Sequence, residues 1–185
     1  MKNLALIASL LQATLTYSST ILVDNGGPWG DWGSTEKCPP GTMARGFSLL
    51  VEPPQGNGDD TALNGVKLYC ARRSSRKLKA TITSARGSWG TWTSVQWCPS
   101  GGLINFSLKV EAPIGDGDDT AANNIMFQCS DYTVLRGYGE RWGTFGPWSD
   151  ICHEGICGIR TKLEAPQGNG DDTALNDVRF LCCYN

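Results

Sequence analysis

The amino-acid sequence predicts an all-β protein, built as a three-sided prism of sheets with a pseudo-threefold internal repeat. Two observations lead to this expectation. One segment of 19 residues occurs three times, and stretches with apolar residues at every second position flank its acidic centre each time. Beyond the N-terminus, no segment shows the 3.6-residue apolar period of an amphipathic helix.

The repeated segment reads EPPQGNGDDTALNGVKLYC, then EAPIGDGDDTAANNIMFQC, then EAPQGNGDDTALNDVRFLC, and 10 of its 19 columns are identical in all three. The first Asp of each acidic pair is Asp59, Asp118 or Asp171, which gives spacings of 59 and 53 residues. A Trp-Gly pair recurs upstream at spacings of 60 and 53 residues. A period of this length indicates one supersecondary unit arranged repeatedly about an axis.

Residues 1–18 have the layout of a secretory signal peptide, with a basic residue, the apolar run Leu4–Leu11 and then small residues. The apolar run is too short to span a bilayer, and a buried N-terminal helix is the alternative interpretation. We expect cleavage near Ser18 or Ser19, which leaves residues 19–185 as a single domain. Its three modules are expected at about residues 19–71, 72–130 and 131–185.

Charge and motifs exclude several classes of protein. The chain has 16 basic and 18 acidic residues, and loss of the signal peptide takes the net charge from −2 to −3, so nucleic acid is not an expected partner. No GxxxxGK or dinucleotide fingerprint is present, and no cofactor is expected. The stretch RRSSRKLK, residues 72–79, is predicted to be a solvated link between modules. Binding of a sulfated or sialylated glycan is its alternative.

Short strands account for the patterns inside each module. Alternating apolar residues predict a half-buried strand before each acidic segment; these stretches are 47–52, 106–111 and 159–164. A second strand follows each acidic segment and ends on a cysteine, and a further short strand is expected before each Trp-Gly pair, in residues 19–25, 79–85 and 132–138. Three apolar faces turned towards one axis would bury one another, which favours a prism over a three-bladed, propeller-like array.

Eight cysteines in a secreted chain predict four disulfides. The repeat pairs Cys38 with Cys70, Cys98 with Cys129, and Cys152 with Cys182. The two extra cysteines, Cys157 and Cys183, are expected to pair, although the adjacent Cys182 and Cys183 could exchange partners. Zinc is the alternative, but the chain lacks CxxC and has His153 as its one histidine, so no metal is expected.

Two sets of residues are candidates for function. Each acidic segment has a Glu seven residues before its first Asp, a pairing that suits glycoside chemistry; these carboxylates are Glu52, Asp59, Glu111, Asp118, Glu164 and Asp171. One active site needs one copy, so turn formation is the preferred interpretation, and a calcium site is a further alternative.

Aromatic residues form the second set; the candidates for stacking on sugar rings are Trp29, Trp32, Trp89, Trp92, Trp142 and Trp148. Ordinary packing is the preferred interpretation of these side chains. In the third module either Phe145 or the displaced Trp148 takes the place of the second Trp. Asn105 lies in an NFS sequon on a predicted strand, so it is a candidate for glycosylation that a strand setting often leaves unused.

The motifs GGPWGDW, FSLLVEPPQGNGDDTALNGVKLYC, GSWGTW, FSLKVEAPIGDGDDTAANNIMFQCSD, WGTFGPWSD and TKLEAPQGNGDDTALNDVRFLCC together resemble the vitelline membrane outer layer protein 1 family. The resemblance covers nearly all of residues 19–185. It implies a β-prism of three Greek-key sheets, four disulfides, secretion and a place in an extracellular coat. A carbohydrate-related activity is also associated with the family.

The sequence therefore predicts a secreted, disulfide-stabilised structural or adhesive component of an extracellular coat. Its expected partners are extracellular glycoproteins or glycans, with no membrane span and an oligomeric state left open. The alternative is a carbohydrate-active transferase or hydrolase that acts on N-acetylglucosamine oligomers, with a Glu and an Asp of one acidic segment as its catalytic groups.

Overall fold

The computed structural model describes residues 19–52, 63–75, 77–111, 122–164 and 175–184. The regular elements in these ranges are all β-strands. They are β1 (Thr20–Ile21), β2 (Asp31–Trp32), β3 (Glu36–Lys37), β4 (Met43–Val51), β5 (Leu63–Ala71), β6 (Leu78–Ile82), β7 (Thr91–Trp92), β8 (Gln96–Trp97), β9 (Leu103–Val110), β10 (Ala122–Cys129), β11 (Val134–Arg136), β12 (Thr144–Phe145), β13 (Ile156–Leu163) and β14 (Leu175–Cys182). Within these ranges no helix is long and apolar enough to cross a membrane. The expected signal peptide, residues 1–18, lies outside the described residues.

Each of the three sheets is built on one long antiparallel hairpin from one repeat. Sheet I has the order β6-β5-β4-β7 and sheet II has the order β11-β10-β9-β12. The next strand along the chain pairs with the second strand of the hairpin, and the strand after it returns to lie beside the first. This is the Greek-key order, so the predicted architecture is confirmed. The short strands expected before each Trp-Gly pair are also present, as β1, β6 and β11.

Sheet III is completed by the other end of the chain. Its order is β1-β14-β13-β2, with β3 as an additional partner of β13. The hairpin comes from the third repeat and the outer strands from the N-terminal segment, so the Greek key is split between the two ends of the domain. The sheets are therefore offset from the sequence repeats, because each hairpin takes its outer strands from the module that follows it around the ring.

The core is a single aromatic cluster shared by all three sheets. Phe127 of sheet II has its ring centroid 4.7 Å from that of Phe47 in sheet I and 5.1 Å from that of Phe180 in sheet III. Phe106 lies 4.8 Å from Phe180, and all four rings are fully buried. A packed centre of this kind distinguishes the prism from the propeller-like alternative, whose blades surround a channel.

The prediction of half-buried first strands is wrong for sheets I and II. All nine residues of β4 are buried, and in β9 the outward-pointing Ser107 and Lys109 are 1% and 5% exposed. The cause is a covering layer formed at the sheet edges, where β7 and β8 pair with β4 and β12 pairs with β9. The adjoining segments also meet outward side chains, since Ser107 Oγ donates to the Gly146 carbonyl at 2.7 Å. A Cβ atom at Gly46 would lie 2.9 Å from the indole of Trp97, which shows how closely this layer packs.

The first strands of the three hairpins start together at one end of the prism. The side chain of Met43, at the start of β4, lies against Gly102 before β9 and Gly155 before β13. We call this the disulfide end. The opposite end, where β4, β9 and β13 finish and the acidic segments begin, is the loop end.

All four predicted disulfides are present, and Cys182 pairs with Cys152 while Cys183 pairs with Cys157. The first cysteine of each repeat is hydrogen-bonded to the sheet before it. Cys98 N–H, for example, donates to the carbonyl of Arg45 in sheet I at 2.9 Å, while Cys129 lies in sheet II. By the same arrangement Cys38–Cys70 joins sheet III to sheet I, and Cys152–Cys182 joins sheet II to sheet III. Three disulfides thus link the sheets in a closed ring.

Candidate functional site

Each Trp-Gly pair packs against the loop end of a hairpin from the preceding repeat. The three glycines have positive φ angles, 81° at Gly30, 93° at Gly90 and 75° at Gly143. A Cβ atom at Gly90 would collide with the carbonyl of Val51, the last residue of β4. Glycine is required here both by its φ and by this close approach of two backbones.

Three equivalent corners result at the loop end, in each of which a Trp-Gly pair lies against the backbone of the glutamate that opens an acidic segment. Corner I contains Trp89 and Glu52, corner II contains Trp142 and Glu111, and corner III contains Trp29 and Glu164. The sequence separates each Trp from its Glu by 31 to 135 residues, so the pattern alone does not bring them together. The fold does so because the hairpin and its outer strand come from different modules.

Gly90→Ala tests this close approach. We expect the free energy of unfolding to fall by about 2–3 kcal/mol, because an L-residue pays about 1–2 kcal/mol for the left-handed backbone and the new methyl group must displace β4. Gly41→Ala is the matched control, since Gly41 has φ 74° but open space around its Cβ position. The free energy of unfolding of this variant should fall by only about 1 kcal/mol. Chemical denaturation measures both, and equal losses would show that backbone contact at the corner is unimportant.

The first tryptophan of each corner is the exposed one. Trp29, Trp89 and Trp142 are 57%, 58% and 51% exposed, although large aromatic side chains are normally mostly buried. The glycine beside each tryptophan fixes its backbone, and at corner II the Arg141 guanidinium lies 5.0 Å from the ring centroid of Trp142. The repetition of one exposed tryptophan at all three corners makes the loop end the candidate binding surface.

The second aromatic residue of each motif packs inward and is covered by cations. The Lys67 ammonium lies 3.8 Å from the ring centroid of Trp92, and the Arg179 guanidinium lies 4.2 Å from that of Trp32. Phe145 takes the equivalent place in the third module, with Arg136 5.2 Å from its centroid. The contacts of Lys67 and Arg179 are cation–π interactions that hold an outer strand onto its hairpin, whereas that of Arg136 joins the two outer strands of sheet II.

Phe145, rather than Trp148, therefore occupies the position of the second Trp in the third module. Trp148 is 41% exposed and lies beside the middle of β9, where the neighbouring Ser149 N–H donates to the carbonyl of Phe106 at 2.8 Å. It is not part of a corner.

Lysine side chains from the first hairpin strands, β9 and β13, hold the backbone of corners II and III. Lys109 Nζ donates to the carbonyl of Arg141, immediately before Trp142, and Lys162 Nζ donates to the carbonyl of Pro28, immediately before Trp29. Leu50 occupies the same column in the first repeat. Sequence reasoning missed this role, and the signal that would have found it is a lysine in the same column of two of the three repeats.

Burial lowers the pKa of two lysines near the corners, Lys109 and Lys67. Desolvation lowers the pKa of Lys109, and the nearby Arg136 lowers it further, while Glu111 and Glu140 oppose the change. Burial likewise lowers the pKa of Lys67, with Arg86 acting in the same direction. The cations at the corners are thus held by carbonyl groups and aromatic rings more than by full ion pairs.

The carboxylate candidates are only partly described. Glu52 is buried at 9% exposure, while Glu111 and Glu164 are half-buried at the ends of β9 and β13. The aspartates Asp59, Asp118 and Asp171 lie outside the described residues. The pairing of Glu and Asp expected for glycoside chemistry therefore remains a prediction, as does the turn interpretation of the acidic segments.

The remaining candidates do not form a metal or catalytic cluster. Among the described residues no group of three His, Cys, Asp or Glu side chains is placed to hold a metal ion. His153 is exposed beside the buried Cys152. Asn105 is 5% exposed, and its Oδ1 has no hydrogen-bond partner in the described part of the chain. Glycosylation at this sequon stays a prediction, and it would require the side chain to leave its place in sheet II.

Asp177 gives sheet III a pH-dependent stability. Burial raises the pKa of its carboxyl group, although the Val178 N–H donates to Oδ1 at 2.7 Å and the nearby Arg179 and Lys162 oppose the rise. The folded protein binds the carboxyl proton more tightly than the unfolded chain does. The protonated carboxyl group therefore adds to the free energy of unfolding at low pH, and this gain is lost as pH rises through the raised pKa.

The substitution Asp177→Asn should remove the loss of stability that the buried carboxyl group causes as pH rises. The equivalent Asn124 shows that an amide fits the position, since its Nδ2 donates to the Gly137 carbonyl at 3.0 Å. We expect the variant to melt a few degrees higher than the parent at pH 7. Near pH 3 the two should melt at the same temperature, because the Asp177 carboxyl group of the parent is then protonated in both the folded and the unfolded chain. Asp150→Asn, on an exposed side chain, is the control in the same calorimetric scans. A gain that is equal at both pH values would contradict the explanation.

Comparisons with known proteins agree with the sequence motifs. The model of the vitelline membrane outer layer protein I (VOMI) family matches residues 19–185. Over 169 residues the chain is 56% identical to the vitelline membrane outer layer protein 1 homolog of Homo sapiens and 51% identical to that of Mus musculus. Each alignment covers 90% of this chain and 84% of the relative.

Solved structures with the same fold are jacalin-type lectins. A mannose-specific jacalin-related lectin from Morus nigra, in complex with mannose, superposes with a TM-score of 0.54 at 16% identity, over 91% of this chain and 97% of the lectin. A mannose-binding lectin from Champedak gives a TM-score of 0.54 at 12% identity, over 90% and 97%. These likenesses establish the β-prism fold, and the match over residues 19–185 with the two close relatives shows that the chain belongs to the vitelline membrane outer layer protein I family.

Proposed function

We propose that the protein is a secreted component of an extracellular coat, and that its three corners bind saccharide chains of the coat glycoproteins. The observation that carries this proposal is the exposure of Trp29, Trp89 and Trp142, each more than half exposed at the loop end of one rigid domain. A single exposed apolar side chain is ordinary, but the same exposed tryptophan at all three corners supports a shared role in binding.

The chemistry of a corner suits a sugar ring. An indole face packs against the C–H surface of a pyranose, and a neighbouring carboxylate accepts hydrogen bonds from its hydroxyl groups. The backbones of Glu52, Glu111 and Glu164 lie against the glycines that follow the three tryptophans, and the half-buried Glu111 and Glu164 are the carboxylates we assign to hydrogen bonding with a sugar. One weak contact at each corner is enough, because three linked contacts on one glycan-rich surface reinforce one another.

Secretion and the coat role are supported by the disulfides and by the family. Four disulfides within 185 residues are typical of extracellular proteins. The closed ring of three disulfides would preserve the spacing of the corners outside the cell. The lectins named above share the fold only, so the proposal rests on the corners of this chain and not on the sugars of those proteins.

A titration with chitotetraose tests the proposal on the purified protein without its signal peptide. We expect weak binding that quenches tryptophan fluorescence, and each of Trp29→Ala, Trp89→Ala and Trp142→Ala should remove part of the signal. The triple variant should lose binding at least tenfold. Tyr132→Asn is the matched control, because Tyr132 is 78% exposed near the disulfide end with φ 66°, a conformation that Asn tolerates.

The same incubation distinguishes binding from catalysis. We expect the length of the oligosaccharide to stay unchanged while it binds. Longer or shorter products that disappear in an Asp171→Ala variant of unchanged melting temperature would instead establish the carbohydrate-active enzyme. Binding that survives the triple Trp variant would rule out the corners as the site.

A further inference from the structure

A pocket of about 610 Å³ opens at the disulfide end, where sheets I and III meet. It lies between the segment that follows β3, the link that follows β5 and the end of β14. Its wall at the start of β4 is separated from corner I by the nine residues of that strand, which is roughly 30 Å. A pocket of this size accommodates a small organic molecule.

The rim of the pocket carries more positive than negative charge. Lys37, Arg72 and Arg73 line it, and all three are exposed. In the part of the chain that the structure describes, Arg73 is paired with Glu154, but Lys37 and Arg72 form no ion pair. Both are therefore available to an anion, and the planar guanidinium of Arg72 can donate two hydrogen bonds to one carboxylate or sulfonate.

The interior of the pocket is apolar. The Met43 side chain closes its inner end, and Leu181 and Tyr184 line the wall contributed by the end of sheet III. Tyr184 is 45% exposed, so part of an aromatic surface faces the opening. A ligand that placed only its charge at the rim would leave this surface in water, whereas an apolar body would cover it.

The walls of the pocket are fixed in the free protein. The Cys38–Cys70 and Cys157–Cys183 disulfides bracket it, and Cys38 N–H donates to the carbonyl of Cys157 at 2.8 Å. The buried Arg45 holds the basic link by donating from Nη1 to the carbonyl of Arg73 at 3.3 Å. A preformed pocket loses little conformational entropy on binding.

We propose that this pocket binds a small amphiphilic anion, with one carboxylate, sulfonate or sulfate group between Lys37 and Arg72 and an apolar body against Met43, Leu181 and Tyr184. The basic stretch at residues 72–79 then contributes one half of a defined site in addition to linking two modules. The site lies at the opposite end of the prism from the corners and is independent of the saccharide proposal.

Two fluorescent probes with the same ring system test the pairing of charge and apolar surface. 8-Anilinonaphthalene-1-sulfonate carries the anion and N-phenyl-1-naphthylamine does not. We expect the double variant Lys37→Gln, Arg72→Gln to weaken binding of the sulfonate about tenfold and to leave the neutral probe within about twofold. Tyr184→Ser should weaken both probes.

The matched control is Lys77→Gln, Lys79→Gln, which removes the same number of charges, both from the basic stretch, at exposed positions that do not line the pocket. It should change neither affinity by more than about twofold. Equal weakening of the sulfonate by both double variants would overturn the proposal, because it would show general attraction to the basic stretch. Melting temperature and near-UV circular dichroism must match the parent in every variant, since these probes also bind partly unfolded protein.

Competition then identifies the class of ligand. Laurate should displace the sulfonate probe from the parent protein, and 3′-sialyllactose should not. Displacement by sialyllactose without displacement by laurate would overturn the amphiphile and identify an acidic-sugar site in its place. Failure of both to displace the probe would also overturn the proposal.

Discussion

Phe127→Ala is expected to lower the free energy of unfolding by about 3–5 kcal/mol, the range for removing a fully buried Phe side chain. Phe127 is, among the described residues, the one ring in contact with aromatic rings of all three sheets, at centroid distances of 4.7 Å to Phe47, 6.3 Å to Phe106 and 5.1 Å to Phe180. The lost contacts therefore fall on the point where the sheets meet. Closely packed sheets relax little into the space, so most of the cavity would remain.

The internal repeat supplies the control for this substitution. Leu68 occupies the same column of the first repeat, directly opposite Phe47 and fully buried. Phe127→Leu should therefore lose only about 1–1.5 kcal/mol, because the site already tolerates that shape in a sister hairpin. Guanidinium denaturation with the disulfides intact measures both variants. A loss below about 1.5 kcal/mol for Phe127→Ala would mean that each sheet is stabilised mainly on its own.

The repeat made most of the fold predictable. A period-two apolar pattern on both sides of an acidic segment identifies a hairpin, and the last inward residue of each second strand, such as Cys129, identifies a disulfide partner. Three such hairpins need one shared core, which predicts the prism. These inferences succeed because they depend on local periodicity and on correspondence between the repeats, and both can be read along the chain.

The arrangement of the outer strands could not be predicted in the same way. Nothing in the Trp-Gly pair at residues 89–90 indicates that it packs on Val51 of the preceding repeat, and nothing near Asp31 indicates that β2 pairs with Leu163. These pairings join residues that are far apart in the sequence, and they are determined by how the three sheets close into a ring. The burial of Lys109 and the formation of the corners both follow from them, so the sequence identified the candidate residues without identifying their neighbours.

The closed ring also predicts unequal roles for the disulfides. Cys98 and Cys129 are 1% and 0% exposed and join sheet I to sheet II. No other disulfide lies within their loop, which has a sequence separation of 31 residues. Replacing both with Ala should lower the free energy of unfolding by about 3.5 kcal/mol, because the unfolded chain regains the freedom of that loop. The space left by two buried sulfur atoms adds to this loss.

Cys157 and Cys183 form the comparison, since both are half-buried and their bond joins β13 to the residue that follows β14, within one sheet. Their sequence separation is 26 residues, close to that of the first pair. Cys152–Cys182, however, already closes almost the same loop, so the additional bond restricts only the small ring of residues 152–157 and 182–183. The loss on replacing Cys157 and Cys183 with Ala should be smaller, about 2.5 kcal/mol, with no buried space left behind.

Denaturation of both double variants under non-reducing conditions measures this difference. The two unfolding curves should be separated by at least about 1 kcal/mol, with the variant that opens the link between sheets I and II the less stable. Limited proteolysis adds a readout for the ring itself: opening Cys98–Cys129 should expose cleavage sites in the segment between β8 and β9, whereas opening Cys157–Cys183 should not. Equal stability losses would mean that loop closure does not govern these disulfides. Stability would then come from sheet packing alone, and the ring would serve only to hold the three corners in register.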